Sequence, residues 1–105
     1  MGELTFTKEM RKNYEGKDVQ WFELKGRVNT ASAEDFDKEM TKAMKDGHYI
    51  TVNMYNVTLL TSVGIRVILK TYKLCTSAGG KFLLEKPSQA VENVLGLSAL
   101  EQLLK

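Results

Sequence analysis

The 105-residue sequence holds one cysteine, one histidine and one proline, and each scarcity excludes something. A lone Cys75 cannot form an internal disulfide or a multi-cysteine zinc site. A lone His48 rules out His-rich metal centres and any mechanism that needs two imidazoles. Charge of one sign is also scarce: 15 Lys and Arg face 13 Asp and Glu, a formal net charge of +2. That excess is too small to argue for nucleic acid or for an anionic membrane surface. The longest uninterrupted apolar run is three residues, so no bilayer-spanning helix and no membrane insertion are expected. Residues 1–12 lack an apolar h-region, so no secretion signal is expected, and a reduced, cytoplasmic setting is the default. Hydrophobic residues at 43% and charged ones at 27% suit one globular domain over residues 1–105 with its own core.

Against these absences stands a clear alternation of strand and helix signals. Residues 4–10 alternate, with Leu4, Phe6 and Met10 on one side, and read as an edge strand. Turn chemistry follows at residues 13–17, then a β-rich run at 19–24 that Gly26 is expected to end. A first helix is signalled by Ser32 three residues before Asp35, a capping-box spacing. Its apolar stripe is Phe36, Met40, Ala43 and Met44, with Gly47 as a left-handed C-cap. Residues 49–54 read as a strand with Ile50, Val52 and Met54 on one face, and a short loop leads from there to Ser62. A second helix runs to Ala78 and closes at Gly79 and Gly80. Residues 81–85 form another strand. Pro87 and Ser88 open a third helix with Val91, Val94 and Leu95, stopped by Gly96. Leu97, Leu100, Leu103 and Leu104 mark a short closing helix. The pattern predicts an α/β fold: a mixed sheet of four to five strands with helices packed against it.

No enzyme constellation is visible. There is no GxxxxGK[ST] loop and no GxGxxG turn. His48 reads as a loop histidine and Cys75 as a buried thiol. Neither a metal nor a cofactor is expected. An enzyme or nucleotide binder on the same scaffold would lack phosphate-cradling glycines and paired acid–base groups.

The informative stretch is the junction before the second helix. It places Ser62 in the first turn, where a hydroxyl can cap free N–H groups and an added phosphate meets the positive helix end. Ile65, Ile68, Leu69, Tyr72 and Cys75, with Val67, Thr71, Leu74 and Ala78, form a broad face for the sheet. Ser62, Arg66, Lys70, Lys73 and Ser77 fall within about 80° of one another at 100° per residue. The serine therefore leads a polar, basic stripe. Periodicity alone leaves two readings open, a solvated helix surface or a docking face.

This stretch resembles the STAS domain of bacterial anti-sigma factor antagonists. There a buried strand and a loop ending in Asp-Ser-(Ser/Thr/Ala)-Gly precede a helix. Thr61, Ser62, Val63 and Gly64 correspond here. The run Leu24, Gly26, Val28 and Asn29 resembles the family's Leu-x-Gly-x-(Leu/Ile)-Asp. Residues 78–84 resemble its helix end and next strand, and 87–97 its closing segment. Departures are Thr61 and Asn29 at aspartate positions, Val63 at a small-residue position, and Arg66 where glycine is frequent.

The resemblance implies a non-enzymatic partner-switching protein. It binds an anti-sigma factor that is also a serine kinase, is switched off by phosphorylation at Ser62, and is reset by a phosphatase. Thr61 is the alternative acceptor. The implied docking face comprises Asn29, Thr30, the loop at 58–61 with Thr58 and Thr61, then Val63, Gly64, Arg66, Lys70 and Lys73. A monomer is expected, although an exposed edge strand at 4–10 would permit pairing. STAS domains also serve as non-switching modules in stress-signalling scaffolds and as accessory subunits of lipid-transporting ABC systems, and Thr61 at the aspartate position is compatible with that role.

Overall fold

The computed structural model describes residues 4–96. Its elements run β1 (Leu4–Lys12), β2 (Asp18–Val28), α1 (Thr30–Asp46), β3 (Tyr49–Leu60), α2 (Ser62–Ser77), β4 (Lys81–Glu85) and α3 (Gln89–Leu95). The closing helix expected at Leu97 to Leu104 lies outside the described residues. The strands form one sheet in the order β1-β2-β3-β4. β1 and β2 are an antiparallel hairpin, whereas β2, β3 and β4 are mutually parallel. The helices between the parallel strands are the crossovers such a sheet requires. The architecture is the mixed α/β sheet expected from the sequence.

Side chains alternate across the sheet, and one set meets the helices. Phe22, Leu24, Ile50, Val52, Phe82 and Leu84 are buried together with Phe36 and Met40 of α1 and Val67, Ile68 and Cys75 of α2. α1 and α2 also pack against each other. Fully burying each large apolar side chain contributes about 1.5–3 kcal/mol, so this cluster is the main source of stability.

Several local expectations need correction. Gly26 does not end β2. It adopts φ +118° beside a register shift, and the strand continues to Val28. The stretch after Met54 is not a loop. β3 runs unbroken to Leu60 but carries two irregularities against β2, where Glu23 and Lys25 face Asn53 and Asn56, and Gly26 and Arg27 face Val57 and Leu59. Each adds one residue to β3, so its buried positions fall at Met54, Val57 and Leu60. A spacing of three hides a strand from a search for period two. Beyond Asn53, where β4 stops, β3 is held by Ser88 instead. The Ser88 amide donates to the Met54 carbonyl and its hydroxyl to the Val57 carbonyl at 2.6 Å.

The helix ends differ too. The N-cap of α1 is Asn29, not Ser32. The Asn29 side chain accepts from the Ser32 amide at 2.9 Å, and Ser32 Oγ accepts from the Asn29 amide at 3.0 Å. Asp35 stays exposed. Gly47 is extended at φ 171°, not left-handed. Its end of the helix is closed by buried Gln20, whose amide donates to the carbonyls of Ala43 (2.8 Å) and Gly47 (3.3 Å), so no left-handed turn is needed. The face assigned to the second helix is narrower than expected. Leu69 and Leu74 are 37% and 48% exposed, Ala78 is exposed, and in α3 Val94 is 43% exposed. Gly64 takes a place in the contact instead, buried at the start of α2.

Candidate functional site

β2 and β3 are parallel neighbours, so their C-termini leave the sheet at the same end. Val28 and Leu60 stand opposite each other as the last paired residues. Each strand passes directly into a helix, α1 capped at Asn29 and α2 at Thr61. Two helix N-termini therefore start side by side, each with a partial positive charge; that of α1 is closed by the Asn29 capping box, while that of α2 has no side-chain cap.

The junctions are tied together. The Val28 carbonyl accepts from both the Thr61 amide and Thr61 Oγ1, each at 3.0 Å. Thr61 occupies the N-cap position of α2, but its hydroxyl is turned back to the sheet and makes no capping bond. The cap expected of Ser62 is likewise absent: Ser62 is the first helical residue, not the cap, and it is exposed. Thr61, by contrast, is half-buried.

Gly64 fixes how closely this turn approaches the sheet. A Cβ built there would lie 2.6 Å from Val28 Cγ1 and 2.7 Å from Leu60 Cδ1. Glycine is thus the residue that lets the Ser62 turn rest on the last sheet pair.

Of the other candidate residues, Asn29, Thr30, Val63 and Gly64 lie at the two helix starts, whereas Arg66, Lys70 and Lys73 follow at successive turns of α2. Thr30 is exposed in the first turn of α1 and Asn29 is half-buried beside it. Thr58 belongs to β3, not to a loop, and is the extra residue of the second irregularity; its hydroxyl donates to the Gly26 carbonyl at 3.3 Å. Val63 is half-buried, while Arg66, Lys70 and Lys73 are exposed along α2. Gly64 is buried and presents no side chain. Lys70 is engaged: its ammonium lies 2.5 Å from Asp37 of α1, a bridge between the helices. Asp37, Val63, Arg66, Val67 and Lys70 line a shallow groove between α1 and α2. Asp37 was missed by sequence reasoning, because nothing local reveals a pairing across 33 residues of chain.

Groups with altered acidity lie elsewhere. Burial pushes the Cys75 thiol up to about 11, so it stays protonated and unreactive at neutral pH. Glu85 accepts from Trp21 Nε1 at 2.9 Å and Asn53 Nδ2 at 3.1 Å. Its partial burial opposes ionisation. Those two bonds, with the positive fields of Arg11 and Lys86, outweigh that effect and hold its carboxyl below the usual value. The Arg11 guanidinium stacks 3.7 Å from the centre of the Trp21 ring. His48 is half-buried and its carbonyl accepts from the Lys81 amide. Among the described residues no three His, Cys, Asp or Glu side chains are grouped to hold a metal ion, and no helix is long and apolar enough to cross a membrane.

The fold has relatives among solved structures. The anti-sigma factor antagonist SpoIIAA in its unphosphorylated form matches with a TM-score of 0.75 and 21% identity, over 96% of this chain and 86% of that one. The Bacillus cell fate determinant SpoIIAA in the phosphorylated form gives 0.74 and 18%, over 96% and 89%. An anti-sigma factor antagonist from Mycobacterium paratuberculosis gives 0.69 and 16%, over 95% and 83%. At these identities the likeness is one of fold. The sequence itself matches the family model for the STAS domain over residues 11–105, and the chain belongs to the STAS domain family.

Proposed function

We propose that this chain is an anti-sigma factor antagonist, a binding protein and not an enzyme. Its unmodified form docks on an anti-sigma factor that is also a serine kinase, and phosphorylation of Ser62 ends the docking until a phosphatase removes the phosphate. The observation that carries this reading is the exposed Ser62 hydroxyl in the first turn of α2, beside the start of α1. The similarity to SpoIIAA, which was solved in unphosphorylated and phosphorylated forms, supports it. So does the difference between the two hydroxyls: that of Thr61 is committed to the Val28 carbonyl, which favours Ser62 as the acceptor.

The docking face comprises Asn29, Thr30, Thr58, Thr61, Val63, Arg66, Lys70 and Lys73, and buried Gly64 sets its shape. A phosphoserine adds a charge of about −1.5 to −2 and three strong acceptors. An interface formed around a hydroxyl must then desolvate an anion. A cost of about 2.7 kcal/mol already weakens binding roughly a hundredfold. No refolding is required, since the helix end accommodates the charge. The protein acts as a cytoplasmic monomer in this scheme.

The test has two arms. Phosphosite mapping on protein taken from its native cell is expected to find phosphate at Ser62. Pull-downs with wild type, Ser62→Ala and Ser62→Asp are expected to retain the partner in the first two and lose it in the third. Equal capture by all three, with no phosphate at Ser62, would overturn the switch. That outcome would point to a non-switching STAS module, the reading favoured by Thr61 standing where an aspartate is usual.

A further inference from the structure

We infer that Arg66 is the internal counter-ion of a phosphate on Ser62, so that modification both adds an anion to the docking face and withdraws a cation from it. This rests on Ser62 being the modified residue, as proposed above.

Positions 62 and 66 are four apart on one helix, so their side chains are neighbours on the same face. The acid would stand N-terminal to the base, the favourable order for such a pair. Both residues are exposed, so neither must leave a buried contact to meet the other. Arg66 is also available. Asp37, the carboxylate that shares its groove, is held by Lys70 at 2.5 Å, and no described residue forms an ion pair with Arg66. Lys70 cannot take the same role, since eight residues of helix separate it from Ser62 by about 12 Å along the axis. A guanidinium also matches phosphate oxygens two at a time, which an ammonium does not. Before modification, Arg66 is free to meet an acidic group on the partner. Afterwards its charge is spent on its own chain.

The experiment places phosphoserine at position 62 of the full chain by genetic encoding, so no kinase is needed. The second ionisation of the phosphate is followed by phosphorus NMR in wild type, Arg66→Lys and Arg66→Gln. The helix end acts equally in all three, so the differences isolate residue 66. The phosphate pKa, ordinarily about 6, is expected to lie lowest in wild type, to rise with Lys, and to rise by about 0.15–0.4 unit with Gln at low salt. At about 1 M salt the difference should shrink. An unchanged phosphate pKa in Arg66→Gln at low salt would overturn the pairing. Native protein unmodified at Ser62 would instead sink the proposed switch while leaving this measurement intact, so the two failures are distinguishable.

Discussion

Replacing Gly64 by alanine sets helix propensity against packing, and the geometry decides the outcome. In an unobstructed helix interior, alanine in place of glycine stabilises by about 1 kcal/mol. Here the new methyl would sit 2.6 Å from Val28 Cγ1 and 2.7 Å from Leu60 Cδ1, whereas carbon atoms pack comfortably at about 3.5–4.0 Å. Neither neighbour can yield cheaply, because Val28 is 0% and Leu60 3% exposed in the core. Overpacking of this kind costs about 1–3 kcal/mol. The balance is a net loss of up to about 2 kcal/mol, with Tm falling about 4–8 °C for each kcal/mol in a domain of this size. Urea melts of wild type and Gly64→Ala measure it. Truncating the obstructing side chain supplies the internal control. Val28→Ala destabilises alone by leaving a cavity, but in that background the cost of Gly64→Ala should shrink, a coupling of about 0.5–3 kcal/mol. Gly64→Ala more stable than wild type by about 1 kcal/mol would refute the reasoning, since propensity alone would then govern the turn that carries Ser62.

Three further outcomes are expected. Asn29→Ala removes the acceptor for the Ser32 amide in the capping box of α1 and should cost about 1 kcal/mol in a denaturant melt; no loss would mean the cap is not stabilising. Because the Glu85 carboxyl titrates below its ordinary value when folded, it contributes stability above its unfolded pKa of about 4.3 that is lost as pH falls through the folded value. Tm should therefore drop more for wild type than for Glu85→Gln between about pH 5 and pH 3, and parallel drops would disprove the assignment. Finally, Cys75 is 0% exposed with its thiol pushed up to about 11, so an aromatic disulfide reagent at about pH 8 should label it only as fast as the domain opens. Immediate labelling of native protein would show the helix face to be loosely packed.

Much of the candidate site was legible in the sequence because it depends on local order. Ser62, Arg66, Lys70 and Lys73 share a face by periodicity alone, and all four are exposed. The same periodicity misplaced Leu69 and Leu74, since a helix-wide apolar face says nothing about how much of it the sheet and α1 reach. What escaped were interactions set by register. The Thr61 hydroxyl reads as an alternative acceptor beside Ser62 until β2 and β3 are known to end together, which puts the Val28 carbonyl 3.0 Å away. Asp37 reads as one more surface acid until α1 lies beside α2 and Lys70 closes on it. The end of β3 reads as a loop because two added residues shift its buried positions to every third place. These are also the features that shape the site. The register of β3 brings the two helix starts together, the Thr61 bond leaves Ser62 as the exposed hydroxyl of the pair, and the Asp37–Lys70 bridge leaves Arg66 available. Sequence periodicity thus marks out the candidate surface, while strand register determines which of its hydroxyls are exposed and which are bonded back to the sheet.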